Sequence, residues 1–271
     1  AEFNQLGEKR MIDQFAEIAV NTAKQAGRLL LEWGAGRRAV TLKGAIDLVT
    51  EADRRSEAAI TEALSRAFSD HSILAEEGTL VKGSAPYRWI IDPLDGTTNF
   101  AHGLPVFCVA IGLEAEGGLV LGVAYDPTRD ELFVAQRGRG ASLNGKPLRV
   151  SPAASLNDSL LATGFSYDIR EHPRNNLPEY GAFSLRCRGV RRMGSAILDL
   201  AYVAAGRLDG YWEMRLGPWD LAAGVIMVEE AGGRVTGLDG KPFDLSRGEA
   251  LASNGKIHDE MLSVLKEVRP R

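Results

Sequence analysis

Residues 89–100 read Trp-Ile-Ile-Asp-Pro-Leu-Asp-Gly-Thr-Thr-Asn-Phe, and the rest of the chain can be placed relative to this stretch. The apolar run 89–91 is typical of a buried strand. A proline and a glycine follow shortly afterwards, and both residue types end regular strands. Asp92 and Asp95 are therefore predicted to emerge where a buried strand ends.

Two carboxylates in such a place are costly, because burial and mutual repulsion both disfavour their charged forms. The usual remedies are a raised pKa, a basic partner or a bound cation. No Lys or Arg lies between Trp89 and His102. A divalent cation is thus the simplest local compensation, while Gly96, Thr97 and Thr98 offer N–H groups and hydroxyls to a phosphate at a helix start.

Length and charge bound the class of protein. A chain of 271 residues favours one large α/β unit with two lobes. The formal net charge of −4 argues against general nucleic-acid binding and against an anionic membrane surface. The sequence has no apolar run of about 18 residues, so we expect no membrane span.

The cysteines and the N-terminal residues favour a cytoplasmic protein. Cys108 and Cys187 lie far apart without a CxxC or Cys/His spacing, which favours reduced thiols over a disulfide framework. Residues 1–10 are charged and lack the apolar segment of a secretory signal. Because Met11 is the first methionine, we expect residues 1–10 to be a tag or a disordered terminus outside the fold.

Hydrophobic periodicity predicts an N-terminal α+β lobe at 11–152 and a C-terminal α/β lobe at 153–271. The first lobe is expected to contain a helix at 11–33, a hairpin-like or irregular segment at 41–49, a helix from 51 to about 68, strand 72–75 and a meander at 106–113, 119–125 and 131–136. The second is expected to contain strands at 159–165, 234–243 and 250–253, helices at 195–206, 217–230 and 257–268, and an ambiguous segment at 174–185.

Two further acidic residues stand at predicted element ends. Glu76 follows a strand, and Asp220 lies in the first turn of a strongly apolar helix. An isolated Asp at that point would simply complement the positive end of the helix dipole. Asp220 together with Asp92 and Asp95, however, indicates a ligand site, because α/β proteins bind ligands at the ends of their strands.

The chemistry of these ligands selects the metal. Carboxylate oxygens without nearby His or Cys favour hard cations such as Mg²⁺ or Mn²⁺ over Zn²⁺. Three or four carboxylates suit more than one ion. Paired divalent ions are a common solution to phosphate ester hydrolysis, in which they neutralise the phosphate, activate a water and stabilise the departing oxygen without a covalent intermediate.

The stretch 89–98, together with Trp219-Asp220-Leu-Ala-Ala-Gly and the acidic residue Glu76, resembles the inositol monophosphatase family of Mg²⁺-dependent, Li⁺-sensitive phosphatases. The resemblance runs from Asp47 to Gly233. It implies an α/β (α+β) fold, a layered α/β/α/β/α sandwich of the sugar-phosphatase type, and a homodimer.

The resemblance also implies a set of metal ligands. Glu76, Asp92 and the Leu94 carbonyl would hold one Mg²⁺, and Asp92, Asp95 and Asp220 would hold a second. A third, weaker ion would lie near Glu76, and Mn²⁺ is the expected substitute.

The catalytic groups implied by the resemblance are Asp47, Thr97 and Glu76. Asp47 and Thr97 would orient the attacking water. From the residues alone, a turn residue is the favoured interpretation of Asp47, and Thr97 has a second interpretation as a hydroxyl at a helix start. The residues expected to contact the phosphate are Asp95, Gly96, Thr97 and Thr98.

The residues implied for the alcohol half of the substrate are Gly194, Ser195, Ala196 and Glu213. Ser195 has a second interpretation as a helix N-cap. Glu213 has one as the partner of Arg191 or Arg192 in a salt bridge. The basic run Arg186, Arg188, Arg191 and Arg192 is either a solvated face or contains a residue that recognises a second phosphate.

The predicted function is Mg²⁺-dependent hydrolysis of a phosphate monoester, with inositol monophosphate first among the substrates. Fructose bisphosphate, histidinol phosphate and phosphorylated nucleotides are alternatives implied by the wider family. A haloacid-dehalogenase-type phosphatase is disfavoured because Asp92 and Asp95 are three apart with a proline between them, and a serine hydrolase because Gly164-Phe-Ser166 lacks a second glycine. The alternative from another class is a regulatory binding protein of the transcription and ribosomal RNA machinery.

Overall fold

The computed structural model describes residues 2–34, 40–42, 48–116 and 118–268. The helices of these residues are α1 (Glu2–Gly34), α2 (Glu51–Ala67), α3 (Thr97–His102), α4 (Leu177–Ser184), α5 (Ala196–Ala204), α6 (Ala222–Glu230) and α7 (His258–Val268). Within the same residues, every helix is too short or too polar to pass through a bilayer.

The strands of the N-terminal half are β1 (Val40–Leu42), β2 (Leu48–Thr50), β3 (Ser72–Ala75), β4 (Leu80–Val81), β5 (Tyr87–Asp95), β6 (Cys108–Ala115), β7 (Gly118–Asp126), β8 (Glu131–Gln136), β9 (Gly140–Leu143) and β10 (Lys146–Pro147). Those of the C-terminal half are β11 (Leu160–Thr163), β12 (Gly189–Arg191), β13 (Gly210–Met214), β14 (Arg234–Thr236) and β15 (Glu249–Ser253).

Two large sheets organise the described part of the chain. The first has eight strands in the order β10-β9-β8-β7-β6-β5-β3-β4 and is antiparallel except where β3 runs parallel to β5. The second has five strands in the order β12-β11-β13-β15-β14, and β11 runs parallel to both of its neighbours. Strands β1 and β2, at the two ends of the segment predicted to be hairpin-like or irregular, pair antiparallel.

Strand β5 shows why both faces of the larger sheet are apolar. Trp89 and Ile91 belong to the apolar cluster that contains α1 and α2, whereas Ile90 belongs to the cluster that contains α5 and α6. Successive side chains of a strand point to opposite faces, so a strand covered on both sides reads as a continuous apolar run.

The same middle helices also cover the smaller sheet. Tyr211 of β13 packs in the cluster of α5 and α6, while its neighbour Trp212 packs with α4 and α7 on the opposite face. The order of layers is therefore α1 and α2, the eight-stranded sheet, α5 and α6, the five-stranded sheet, and α4 and α7. This is the α/β/α/β/α sandwich that the resemblance implied.

Several boundaries differ from the sequence predictions. Helix α1 begins at Glu2, so the backbone is helical over residues that we expected to lie outside the fold. Strand β5 does not end at Asp92 but continues to Asp95. Asp220 lies in a turn just before α6 rather than in its first turn, and the strand predicted at 234–243 is only three residues long because the chain turns back at Asp239 and Gly240.

Candidate active site

A β-bulge in β5 brings the first two acidic residues together. Asp92 is opposite Ala110 of β6, but Asp95 is opposite Cys108, so three steps along β5 match two steps along β6. In a regular strand, residues three apart point to opposite faces. The extra residue in a bulge brings two such side chains to the same face. Leu94 N–H donates to Asp92 Oδ1 at 3.0 Å within the bulge.

Asp220 joins this pair from the turn before α6. One carboxylate oxygen each from Asp92, Asp95 and Asp220 lies within 4.8 Å of the others. The Gly217 N–H donates to Asp220 Oδ2 at 2.6 Å and fixes its orientation. All three carboxylates line a cavity of about 370 Å³, together with the half-buried Glu76.

The electrostatics of this cluster are unfavourable without a cation. Burial raises the pKa of Asp92 well above its usual value, and the charges of Glu76, Asp95 and Asp220 raise it further. Burial also raises the pKa of Asp220, followed by the charges of Asp95 and Glu76. A buried, oxygen-only donor set of this kind fits a hard divalent cation such as Mg²⁺ or Mn²⁺, and Leu94 lines the same cavity.

Asp95 also accepts hydrogen bonds from the start of α5. Ser195 Oγ donates to its Oδ2 at 2.6 Å, Ile197 N–H donates to the same oxygen at 2.7 Å, and Ala196 N–H donates to Oδ1 at 3.3 Å. Burial raises the pKa of Asp95 to about 6, and these hydrogen bonds oppose that rise. Ser195 is also the N-cap of α5, since its Oγ accepts from Leu198 N–H.

Thr97 contacts a carboxylate that the sequence analysis did not single out. Its Oγ1 lies 3.0 Å from Asp53 Oδ1 and 3.1 Å from the Leu94 carbonyl oxygen. Asp53 is fully buried in the first turn of α2. In the sequence, an acidic residue in the first turn of a helix is interpreted as a complement to the helix dipole, so only the fold shows its contact with Thr97. Asp47, the predicted partner of Thr97, lies outside the described residues.

The backbone after Asp95 turns sharply at Gly96, which has a φ of 101°. A Cβ there would lie 2.8 Å from the Val106 carbonyl oxygen, so only glycine fits. Thr97 then begins the short helix α3, and Thr98 follows it. Among the three residues predicted to donate to a phosphate, Gly96 and Thr97 line the cavity and Thr98 does not.

Glu213 projects from β13 into the same cavity. It is buried and accepts a hydrogen bond from Tyr211 Oη at 2.7 Å. Burial raises its pKa to about 7, and the Tyr211 hydrogen bond opposes this rise. A Cβ on Gly164 would lie 2.2 Å from the Glu213 carboxylate, so glycine is required at the end of β11 for this side chain to fit.

The four arginines of the basic run have different positions. Arg186 pairs with Glu267 and Arg188 with Asp158 at the protein surface. Arg191 is exposed and donates to the Val190 carbonyl. Arg192 lines the cavity together with Gly194, Ser195, Ala196 and Glu213, and its charge lowers the pKa of Glu213, although these side chains form no ion pair within 4.0 Å among the described contacts.

The structure does not favour a serine hydrolase at this site. Ser166 Oγ donates to Asp168 Oδ1 at 2.6 Å, and Asp168 in turn pairs with Arg215. Within the described residues, no histidine lines the cavity to serve as a base for this hydroxyl.

Comparisons with known proteins agree with this geometry. The sequence profile of the inositol monophosphatase family matches residues 11–269. The inositol-1-monophosphatase of Synechocystis sp. is 50% identical over 94% of this chain and 89% of its own length. The Nus factor SuhB of Escherichia coli K12 is 42% identical over 92% of this chain and 95% of its own length. The solved structure of an inositol monophosphatase from Anabaena (Nostoc) sp. PCC 7120 has a TM-score of 0.87 and 46% identity, and the match covers 96% of this chain and 98% of that one.

The fold and the acidic cavity define the protein as a phosphoric monoester hydrolase of the metal-dependent kind. The profile match and the identities over nearly the whole chain make the assignment more specific. The chain belongs to the inositol monophosphatase family.

Proposed function

We propose that the protein hydrolyses the phosphate monoester of a small polyol in the presence of Mg²⁺, with inositol monophosphate as its first substrate. The observation that carries this proposal is a single cavity that holds two kinds of carboxylate. Asp92, Asp95 and Asp220 form a cluster that fits a divalent cation, and Glu213, which is held by Tyr211, lines the same cavity. The cluster suits a phosphate bound through a cation, and Glu213 suits a hydroxyl of the alcohol.

The proposed metal ligands are the ones that the resemblance implies. Glu76, Asp92 and the Leu94 carbonyl would hold one Mg²⁺, Asp92, Asp95 and Asp220 a second, and a third, weaker ion would lie near Glu76. Bound cations supply charge neutralisation for the phosphate and a lowered pKa for a water nucleophile. The raised pKa values of Asp92 and Asp220 support this proposal, because a cation would offset the burial and the repulsion that cause them.

Thr97 is proposed to orient the attacking water. A hydroxyl carries one proton, and both oxygens near Thr97 Oγ1 are acceptors, so the proton points to Asp53 or to the Leu94 carbonyl. Donation to Asp53 leaves the lone pairs of Oγ1 free to accept the proton of a water. Asp47 stays the partner proposed from the resemblance. The backbone N–H groups of residues 96–98 are proposed to bind the phosphate oxygens.

Glu213 is proposed to accept a hydrogen bond from a hydroxyl of the leaving alcohol. Its buried carboxylate is held by Tyr211 and faces the cavity, which supports this role. Gly194 and Ala196, which line the cavity, would contact the same alcohol. Ser195 acts through another residue, because its hydroxyl is engaged with Asp95.

Several properties of the family extend the proposal. We expect a homodimer, inhibition by Li⁺, and Mn²⁺ as a substitute for Mg²⁺. A cytoplasmic location is supported by the two free cysteines, one of which is buried. Light scattering of the purified protein tests the dimer.

A second candidate function is supported by the relatives named Nus factor SuhB. The protein would then act as a binding partner of the transcription and ribosomal RNA machinery, with or without turnover. Asp92→Asn separates the two roles. Loss of Mg²⁺-dependent phosphate release with retained binding to RNA polymerase complexes would show two independent functions, and parallel loss would show that they share the site.

The experiment that tests the substrate is a phosphate-release screen at matched Mg²⁺. Inositol monophosphates are compared with fructose bisphosphate, histidinol phosphate and phosphorylated nucleotides. We expect the highest kcat/KM for an inositol monophosphate. A preference of tenfold or more for a bisphosphate would contradict the proposed substrate and would point to Arg192 as the residue that binds a second phosphate.

A further inference from the structure

Asp199 is a buried carboxylate that neither the acidic cluster nor the phosphate half of the site uses. It lies in the first turn of α5, is 1% exposed and lines the same cavity as Glu213. Among the described residues, its Oδ1 has no hydrogen-bond partner. A buried acceptor without a partner destabilises the folded state. A native structure keeps such an acceptor where a bound molecule supplies the missing hydrogen bond.

Capping of α5 does not explain Asp199. The N–H groups of Ala196 and Ile197 donate to Asp95, and the N–H of Leu198 donates to Ser195 Oγ. The first donors of the helix are therefore satisfied without Asp199, and its own N–H bonds to the Ser195 carbonyl. Every other residue of this helix is apolar, so a polar side chain here has no evident packing role.

The charges around Asp199 indicate what would satisfy it. Burial raises its pKa well above the usual value, the nearby charges of Glu213 and Asp95 raise it further, and the charge of Arg192 at the cavity wall opposes them. Another anion would meet two carboxylates here. A neutral hydroxyl can donate to a carboxylate or accept from a carboxylic acid, so it suits either protonation state.

We propose that Asp199 is a second hydroxyl-recognising residue of the alcohol subsite, next to Glu213. This inference rests on the proposed phosphatase function and makes its substrate class more specific. A leaving alcohol with at least two further hydroxyls engages both carboxylates. An alcohol that carries a second phosphate or a carboxylate is disfavoured, because it would meet both carboxylates, while Arg215, the second arginine that lines the cavity, is already paired with Asp168.

The test compares two phosphate monoesters that differ in their alcohol. Inositol 1-phosphate presents hydroxyls to the subsite, whereas phenyl phosphate has none. For Asp199→Ala we expect the ratio of the two kcat/KM values to fall at least tenfold, mainly through a higher KM for inositol 1-phosphate. Asp199→Asn keeps one acceptor oxygen and should lose less. Because the ratio is taken within one sample, a reduced folded fraction cancels out.

Asp126→Asn is the matched control. Asp126 is also fully buried, but it is bonded to Thr128 and Arg129 and does not line the cavity. We expect this variant to lose stability with an unchanged substrate ratio. A general effect of losing any buried carboxylate would instead lower the ratio in both variants, and that result would overturn the role of Asp199.

Two further outcomes separate this inference from the proposed function. If the wild-type protein prefers inositol 1-phosphate and Asp199→Ala keeps that preference undiminished, the assignment of Asp199 is wrong and the polyol phosphatase stands. If the wild-type protein hydrolyses both esters with equal kcat/KM, the polyol substrate itself is wrong, and the role of Asp199 is overturned with it.

Discussion

Ser195 Oγ donates a hydrogen bond of 2.6 Å to Asp95 Oδ2, across 100 residues of sequence. The bond connects the end of β5 in the eight-stranded sheet to the start of α5 in the middle helical layer. Two backbone N–H groups of α5 bind the same carboxylate. The start of α5 thus fixes one of the acidic residues that would hold a cation.

Ser195→Ala tests this connection. The variant loses the N-cap of α5 and one donor to Asp95, so we expect the free energy of unfolding to fall by about 1 kcal/mol. Because the lost hydrogen bond lowers the pKa of Asp95, that pKa should rise, and the Mg²⁺ concentration for half-maximal activity should increase at neutral pH. Ser155→Ala is the control, since Ser155 caps a short 3₁₀ turn away from the cavity. Equal Mg²⁺ requirements in both variants would disprove the connection.

Asp220→Asn should stabilise the metal-free protein while it abolishes activity. The pKa of Asp220 is raised in the folded state, so its charged form opposes folding above its usual pKa, and a neutral side chain removes that cost. Asn can still accept the Gly217 N–H. In thermal unfolding with EDTA we expect a higher Tm than for wild type, and with Mg²⁺ we expect a smaller rise in Tm.

Asp239→Asn provides the opposite case. The hydrogen bond from Arg247 holds the pKa of Asp239 below its usual value, so this charge favours folding. The variant should lower Tm equally with and without Mg²⁺. If Asp220→Asn behaved in the same way, the acidic cluster would not be under electrostatic strain.

Thr97→Val tests the orientation of the attacking water. Valine has the shape of threonine without the hydroxyl that lies between Asp53 and the Leu94 carbonyl. We expect kcat to fall by about 100-fold or more with little change in KM, and Thr97→Ser to retain most of the activity. Steady-state phosphate release measures both. Equal loss in the two variants would assign Thr97 to packing rather than to water orientation.

His258 gives the protein a pH-dependent stability that is independent of the active site. Its ring is fully buried between Thr236 and Ser253. Thr236 Oγ1 donates to the Gly237 carbonyl, so Thr236 is left to accept from Nε2–H. Burial lowers the pKa of His258 to about 4, so the ring is neutral at pH 7, and its Nδ1 then accepts from Ser253 Oγ.

The unfolded chain therefore binds a proton that the folded protein does not, between the ordinary His pKa of about 6.5 and 4. Stability is lost as the pH falls through this window. Wild type should lose about 2 kcal/mol more than His258→Gln between pH 7 and pH 5 in urea unfolding. His102→Gln at an exposed position should follow the wild-type curve. Parallel curves for wild type and His258→Gln would contradict the buried neutral ring.

The sequence predicted an α/β unit and singled out the four acidic residues for a clear reason, whereas the order of the layers was implied by the resemblance alone. The run 89–91 and the apolar helix after Asp220 are apolar enough to predict burial. Charged residues at the ends of buried elements are unusual, so they indicate a site. It did not predict the bulge in β5, because the extra residue is defined by pairing with β6 and Pro93 appeared only as a strand breaker. It also missed Asp53 and Asp199, whose importance depends on which side chains the folded layers bring next to them.

The most direct test of the central claim is phosphate release from inositol 1-phosphate as a function of Mg²⁺, starting from metal-free protein. The claim is that Glu76, Asp92, Asp95 and Asp220 form a cation site without which the reaction does not proceed. We predict no turnover in EDTA, recovery on titration with Mg²⁺, and no recovery for Asp92→Asn at any Mg²⁺ concentration. Undiminished turnover in EDTA would contradict the account.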